Sequence, residues 1–397
     1  MRRWVAGCLV WMASALAAGP VTVWTPFEGA ELEWLRAQAA RFEAATGTPV
    51  EVVAMPLEEI RPRFILEAPR GRAADLVVPV PHGWVGEMAA AGVLEPVEGF
   101  VTEAYLADLV PVALEAFRYG GAGFGFPVSA EAVALIYNKR WVPEPPASWE
   151  AFLGLARRLT TGETFGFLYD LGDPYLGYGW FRAYGAFVFG RRADGSWDPA
   201  VLGLGGEAGY RAARFIQALR YGYGLVPAGV DDGVVDGAFR EGAVAMTLNG
   251  PWAVEGYREA GLAFGVAPMP APPGGRAWGP FVEVQGIVLN AYSRHKIAAV
   301  NFAKMLVRPD AQVGLSRVGG RIPVSRGALA ALEDDPVVRG FAAVIALGEP
   351  VPNIPEIGRV WGPWREALRR VLERPDADVE RIMDRMVEEI RRGLQGE

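Results

Sequence analysis

The chain has one cysteine, Cys8, and two histidines in 397 residues. A lone cysteine excludes an internal disulfide, and so few thiol and imidazole donors exclude a Cys/His metal centre. Nothing in the residue set calls for a metal or an organic cofactor. A basic stripe is also missing. The 39 Lys and Arg are intermixed with 46 Asp and Glu, the net charge is −7, and nucleic acid is excluded as a partner. No internal repeat or low-complexity tract is present. Beyond the first 18 residues no stretch is apolar enough to cross a membrane.

What is present fits a well-packed globular chain of about two domains, with 51% hydrophobic and 21% charged residues. The N-terminus reads as a signal peptide over residues 1–18. Arg2 and Arg3 form its positive region, Val5 to Leu16 its short apolar region, and Ala15-Leu16-Ala17 a small-x-small cleavage site. No cysteine stands at that site, which argues against a lipid anchor. Cleavage removes Cys8 together with Arg2 and Arg3, taking the net charge from −7 to −9. The mature protein is expected to be exported and soluble.

Strand and helix then alternate. Val21–Trp24, Val50–Ala54 and Asp75–Val80 read as strands. Glu31–Thr46 reads as a helix with Leu32, Leu35, Ala39 and Phe42 on one face and Gly47 as its stop. Trp84–Ala91 reads as a short helix, Ala132–Tyr137 as a strand, and Ser148 as the cap of a helix ending near Leu159. Helices are expected over 207–221 and 297–306, and a strand over Ile287–Leu289. The last helix, 379–394, should bury Val379, Ile382, Met383, Met386, Val387 and Ile390. This order predicts a mostly parallel, layered sheet. Pro/Gly interruptions near one third and two thirds of the chain predict two α/β lobes joined by several crossings.

The stretch Ala243–Trp252 organises the functional reading. A short buried strand is halted by Asn249-Gly250-Pro251, and Trp252 follows where a helix would begin. Ligands in α/β proteins meet such strand ends. A core Trp behind a tight turn fits the same residues. Other aromatic and acidic residues occupy comparable places: Glu28 before the first helix, Glu131, Asp173 and Tyr175 in a glycine-flanked loop, and Trp361 and Arg365 after the Pro352–Pro355 segment. Aromatic rings cover the C–H faces of sugars, and carboxylates and Arg forks bind their hydroxyls. Glu131 and Asp173 could equally be the acid and nucleophile of an exported glycoside hydrolase, if about 5–10 Å apart. A binding protein for a non-sugar solute such as an anion would need several basic donors. Arg365 and Arg321 are the candidates.

Four segments make the resemblance specific: Ala134-Leu135-Ile136-Tyr137-Asn138-Lys139, Asp173-Pro174-Tyr175, Asn249-Gly250-Pro251-Trp252 and Pro352-Asn353-Ile354-Pro355. In these, and in their order across nearly the whole mature chain, the sequence resembles the maltose-binding protein family. These are the solute-binding subunits of sugar ABC importers, and the likeness is to variants from heat-loving bacteria that bind maltose and trehalose. The resemblance implies a two-lobe periplasmic binding protein fold of type II, with three hinge crossings near Pro127–Glu131, Phe264–Pro268 and Leu332–Asp335. It implies an N-terminal lobe of residues 19–128 and 267–333 and a C-terminal lobe of residues 129–266 and 334–397. It further implies a periplasmic, monomeric, non-enzymatic protein that hands a maltose- or trehalose-like disaccharide, or a maltodextrin, to an ABC importer permease in the membrane. By motif, Trp252 and Trp361 match stacking aromatics, Tyr175 a stacking and hydrogen-bonding tyrosine, and Trp278 a hinge-side aromatic. Glu131 and Asp173 match hydroxyl acceptors, Arg365 an arginine at the cleft floor, and Glu28 a position where the family often has Asp. The chain departs from the pattern at His82-Gly83-Trp84, where relatives carry a sugar-gripping acid, at Asp232 in place of a tyrosine, and at Gly362.

Overall fold

A computed structural model describes residues 19–396. The signal peptide expected over 1–18 lies outside the described residues. Ten strands form two main sheets: β1 (Val21–Thr25), β2 (Val50–Ala54), β3 (Leu76–Pro81), β4 (Phe126–Ala132), β5 (Ala134–Asn138), β6 (Met246–Asn249), β7 (Phe264–Ala267), β8 (Phe281–Leu289), β9 (Ile322–Pro323) and β10 (Glu349–Pro350). The larger sheet runs β9-β4-β8-β3-β1-β2, with β10 on the edge of β8. The smaller sheet runs β6-β5-β7.

The parallel expectation holds only for part of this. β1 lies parallel to β2 and β3, where helical crossovers connect them, and β10 lies parallel to β8. β8 is antiparallel to both β3 and β4, β9 is antiparallel to β4, and the smaller sheet is antiparallel throughout. The reason is topological. The chain leaves the first sheet, builds a second, and returns, so the returning strands enter from the opposite end.

Seven helices matter for the site: α1 (Gly29–Thr46), α2 (Pro174–Ala183), α3 (Gly206–Tyr221), α4 (Asp232–Arg240), α5 (Pro336–Ile345), α6 (Trp361–Val371) and α7 (Val379–Gln395). α1 buries Leu35, Ala39 and Phe42 as expected, adds Trp34 and Gln38, and ends on Gly47 at φ 72°. Only glycine adopts that left-handed geometry without cost. α7 buries Val379, Met383, Met386, Val387 and Ile390, with Ile382 half-buried, and packs on α3 and α6. Ser148 Oγ accepts the Ala151 N–H at 3.2 Å, capping the helix that ends at Leu159.

The passages between sheets position the site. β4 ends in the larger sheet at Ala132, and β5 begins in the smaller one at Ala134, so the run expected as one strand is divided at Val133. β7 leaves the smaller sheet at Ala267, and β8 enters the larger at Phe281. Later, α5 packs on β7 and β4 before β10 joins β8 and the chain continues into α6. One hydrophobic core, including Ala130 and Ala132 through Tyr137, runs through this junction. A second, with Val21, Leu35, Phe42, Phe126 and Phe302, lies on α1's side of the larger sheet.

Candidate functional site

β8 supplies the floor. Its residues alternate, with Val282 and Val284 fully buried and Glu283 and Gln285 partly exposed, as the two-residue period of a strand requires. Phe281 shares the face of Glu283. Across the strand pair, Glu283 lies opposite Glu131 of β4, so both carboxylates stand on one face.

Glu131 is held by Arg321, whose Nη1 donates to its Oε1 at 3.2 Å. Arg321 also forks onto Glu31, with Nε and Nη2 at 2.7 and 3.1 Å from its two oxygens. Burial pushes the Glu131 carboxyl above its ordinary value. Arg321 opposes this, and the neighbouring Glu283 and Glu31 add to it. Arg321 is therefore engaged by two carboxylates, and is not the open anion donor that a charged solute would need.

From the facing side, Asp173 caps α2. Its Oδ1 accepts the N–H groups of Tyr175 (2.7 Å) and Leu176 (3.0 Å), and its Oδ2 accepts Arg365 Nη2 at 3.0 Å. The cap sets the first turn of α2, and that turn aims Tyr175 at the floor. The Tyr175 ring lies 6.1 Å from Phe281 at 24° and 6.3 Å from Trp252 at 50°. Burial, followed by the charges of Glu283, Glu131 and Asp173, holds its hydroxyl well above the ordinary tyrosine range. Tyr175 thus keeps its proton and can donate a hydrogen bond. Trp361, opening α6, lies 5.8 Å from Phe281 at 74° and stacks at 6.1 Å and 8° on buried Trp364.

Trp252 is 51% exposed, so it is not a core residue behind a turn. Its ring lies over the preceding backbone, where a Cβ on Gly250 would come within 2.0 Å of it. Asn249 Nδ2 donates to Tyr257 Oη at 2.9 Å, fixing the end of β6. The Asn-Gly-Pro stop therefore does two jobs: it ends the strand, and it leaves room for the indole.

Two expected residues are not brought into this group. Trp278 is 1% exposed and packs at 5.9 Å on Trp180 and tightly over Gly179, where a Cβ would meet the indole at 2.0 Å. It belongs to the core, which corrects its expected place beside the cleft. The physical reason is its length of connection: residues 268–280 carry it back onto α2 before β8 begins. Glu28 sits at the N-cap position of α1, exposed, and its side chain makes no capping hydrogen bond.

Three residues were missed as candidates: Phe281, Glu283 and Glu31. The Phe281-Val-Glu283-Val-Gln285 alternation carried the signal for the first two, but the expected strand began only at Ile287. Asp232, noted only as a departure, heads α4 beside Asp173 and Asp170. Burial and these carboxylates, with Asp231, push it up to about 6, partly offset by Arg365. Among the described residues, no group of three or more His, Cys, Asp or Glu is arranged to hold a metal. A separate cavity of about 570 Å³, lined by Arg118, Tyr119, Arg191, Trp197 and Ile354 among others, shares none of these side chains. Its Arg191 pairs with Glu115 and covers the Trp197 ring at 3.2 Å, so that cation is already satisfied.

Aromatic rings in contact, Trp252 after the end of β6 in the smaller sheet and Phe281 opening β8 in the larger, thus lie next to a pair of carboxylates on β4 and β8. The model of the family described as bacterial extracellular solute-binding protein matches residues 37–339. The chain belongs to that family. Among relatives of this solute-binding protein is a maltotriose-binding protein of Pyrococcus abyssi, 29% identical over 388 residues, covering 96% of this chain and 83% of the relative. Among solved structures, a Thermus thermophilus maltotriose-binding protein bound with maltotriose is 58% identical at a TM-score of 0.78, covering 94% of this chain and all of that one. A cyclo/maltodextrin-binding protein complexed with maltotetraose is 31% identical at a TM-score of 0.89, covering 95% and 98%. The two-lobe α/β architecture of this solute-binding protein is that of these structures.

Proposed function

We propose that this solute-binding protein captures a malto-oligosaccharide, or a maltose- or trehalose-like disaccharide, between its lobes and delivers it to an ABC importer. The observation that carries the reading is a run of aromatic rings in contact, Trp252 on Tyr175, Tyr175 on Phe281 and Phe281 on Trp361, at the start of the strand whose Glu283 lies opposite Glu131. The rings cover the apolar sugar faces, while the carboxylates and the Tyr175 hydroxyl meet the hydroxyl rim. Likeness at 58% identity to a protein bound with maltotriose supports the same ligand class.

The protein acts as a monomer exported by its leader to the periplasm. Its lobes are residues 19–128 with 267–333 and 129–266 with 334–397, closing about crossings near Pro127–Glu131, Phe264–Pro268 and Leu332–Asp335. It binds without turnover. Asp173 Oδ1 is committed to two backbone N–H groups and Oδ2 to Arg365, which disfavours a nucleophile. An anion solute is disfavoured because Arg321 and Arg365 are both paired with carboxylates. The test is tryptophan fluorescence and calorimetry with maltose, trehalose and maltotriose, followed by recovery of the sugar. Saturable binding with intact sugar is expected. Release of reducing ends by the purified protein would overturn the reading.

A further inference from the structure

His82 directly follows β3 and is fully buried. Its Nε2 lies 2.8 Å from the Val351 carbonyl oxygen. A carbonyl only accepts, so Nε2 carries a proton and donates. Nδ1 has two competitors. The Val284 N–H approaches it at 3.1 Å, and Glu283 Oε1 at 2.9 Å. A protonated Nδ1 donates to Oε1. A bare Nδ1 accepts the Val284 N–H and presents its lone pair to a carboxylate oxygen, which is repulsive.

Glu283 itself has two distinct ends. Oε1 is buried, with no hydrogen-bond partner apart from that imidazole contact. The side chain is nevertheless 23% exposed, so the rest of the carboxyl reaches solvent. It shares a face with Phe281, stands opposite Glu131, and acts electrostatically on the Tyr175 hydroxyl. On the basis of the sugar-binding reading, we propose that Glu283 is a further ligand-binding residue, accepting a sugar hydroxyl, and that His82 is its positioning residue.

The charges around the pair agree with this. Glu283 is the ionisable group in direct contact with the imidazole, at 2.9 Å. Burial, the largest effect, disfavours the imidazolium, yet the Glu283 charge and the hydrogen bonds to Glu283, Val351 and Val284 outweigh it and raise His82 above 6.5. Beyond Glu283 stand Glu131, Arg321 and Glu31, already joined to one another. Arg321 thus leaves Glu283 to the histidine. Below the His82 transition the imidazolium holds Oε1 and fixes the carboxyl. As pH rises through it, the Val284 N–H takes over Nδ1 and the carboxyl loses its anchor.

The experiment is calorimetric titration of the mature protein with maltotriose from pH 6.5 to 9, for the parent, Glu283→Ala and Glu283→Gln, together with apo melting temperatures. The parent should bind more weakly as pH rises. Glu283→Ala should lose at least tenfold in affinity at pH 6.5, the scale of a hydrogen bond to a charged group. Both variants should lose the pH slope while melting as cooperatively as the parent. Unchanged affinity in Glu283→Ala, or an unchanged pH slope, would overturn the proposal while leaving the sugar reading intact. A lowered melting temperature with normal affinity in the folded fraction would make Glu283 structural and likewise overturn it. A parent that binds none of maltose, trehalose or maltotriose would overturn both.

Discussion

Trp252, expected as a stacking aromatic, and Trp278, expected as a hinge-side aromatic, were both placed at the ligand, and the structure separates them, which makes the pair a sharp test. Trp252 is 51% exposed and Trp278 1% exposed. An aromatic side chain of this size buries on the order of 200 Å² when enclosed. At half that, Trp252 shields about 100 Å², which at ~25 cal/mol per Å² bounds its contribution to folding at about 2.5 kcal/mol. The true cost of Trp252→Ala should be smaller, because an exposed site leaves no closed cavity. Trp278→Ala removes a ring packed on Trp180 and over Gly179, and its cost should be about 3–5 kcal/mol. The order reverses for binding. Trp252→Ala should weaken maltotriose binding by about 2 kcal/mol, the scale of a truncated aromatic anchor, or well over tenfold. Trp278→Ala should leave the affinity of the folded fraction close to the parent's. Urea denaturation of the apo proteins and titration calorimetry read both quantities. If Trp252→Ala binds maltotriose like the parent, the run of aromatic rings is not the sugar platform. If Trp278→Ala folds as stably as the parent but no longer binds, the assignment of Trp278 to the core is wrong.

Two other outcomes follow from the geometry. Gly250→Ala places a methyl 2.0 Å from the Trp252 ring, so the indole must move. Maltotriose affinity should fall several-fold although every aromatic and carboxylate remains, and parent-like affinity in that variant would refute the seating of Trp252. Asp232 is raised from 3.8 to about 6. The folded state therefore binds more protons than the unfolded chain between about pH 4 and 6, and stability falls as pH rises through that window. Asp232→Asn should melt above the parent at pH 7, with the gap closing below pH 4. The gap should be small, since the carboxyl is only partly shielded and solvent screens it, and a variant melting below the parent at pH 7 would contradict the direction.

Much of the local structure was legible in the chain. The face of α7, the Gly47 stop of α1, the Ser148 cap and the halted strand before Trp252 all depend on neighbours within a few residues. Period, backbone freedom and capping chemistry are local properties. The start of β8 was missed because the Pro/Gly-rich segment before it masked a two-residue alternation, and with it went Phe281 and Glu283. Asp173 was expected as a hydroxyl acceptor or a hydrolase carboxylate, not as a helix cap. Its place directly before Pro174 was a cap signal, and the structure shows Oδ1 occupied by that cap.

The sequence by itself determined the alternation of elements and a set of acids and aromatics suited to a sugar. The return of the chain to its first sheet was beyond it, and that return makes β8 and β4 antiparallel and sets Glu283 opposite Glu131. Which tryptophans reach solvent was likewise a tertiary decision. Trp252 and Trp278 are equally apolar and both follow turn-forming residues, yet one lies over a glycine at a strand end and the other is carried back onto α2. Burial is a property of what packs around a side chain. For Trp278 the packing partners, Gly179 and Trp180, lie far away in the chain, beyond the reach of any local pattern.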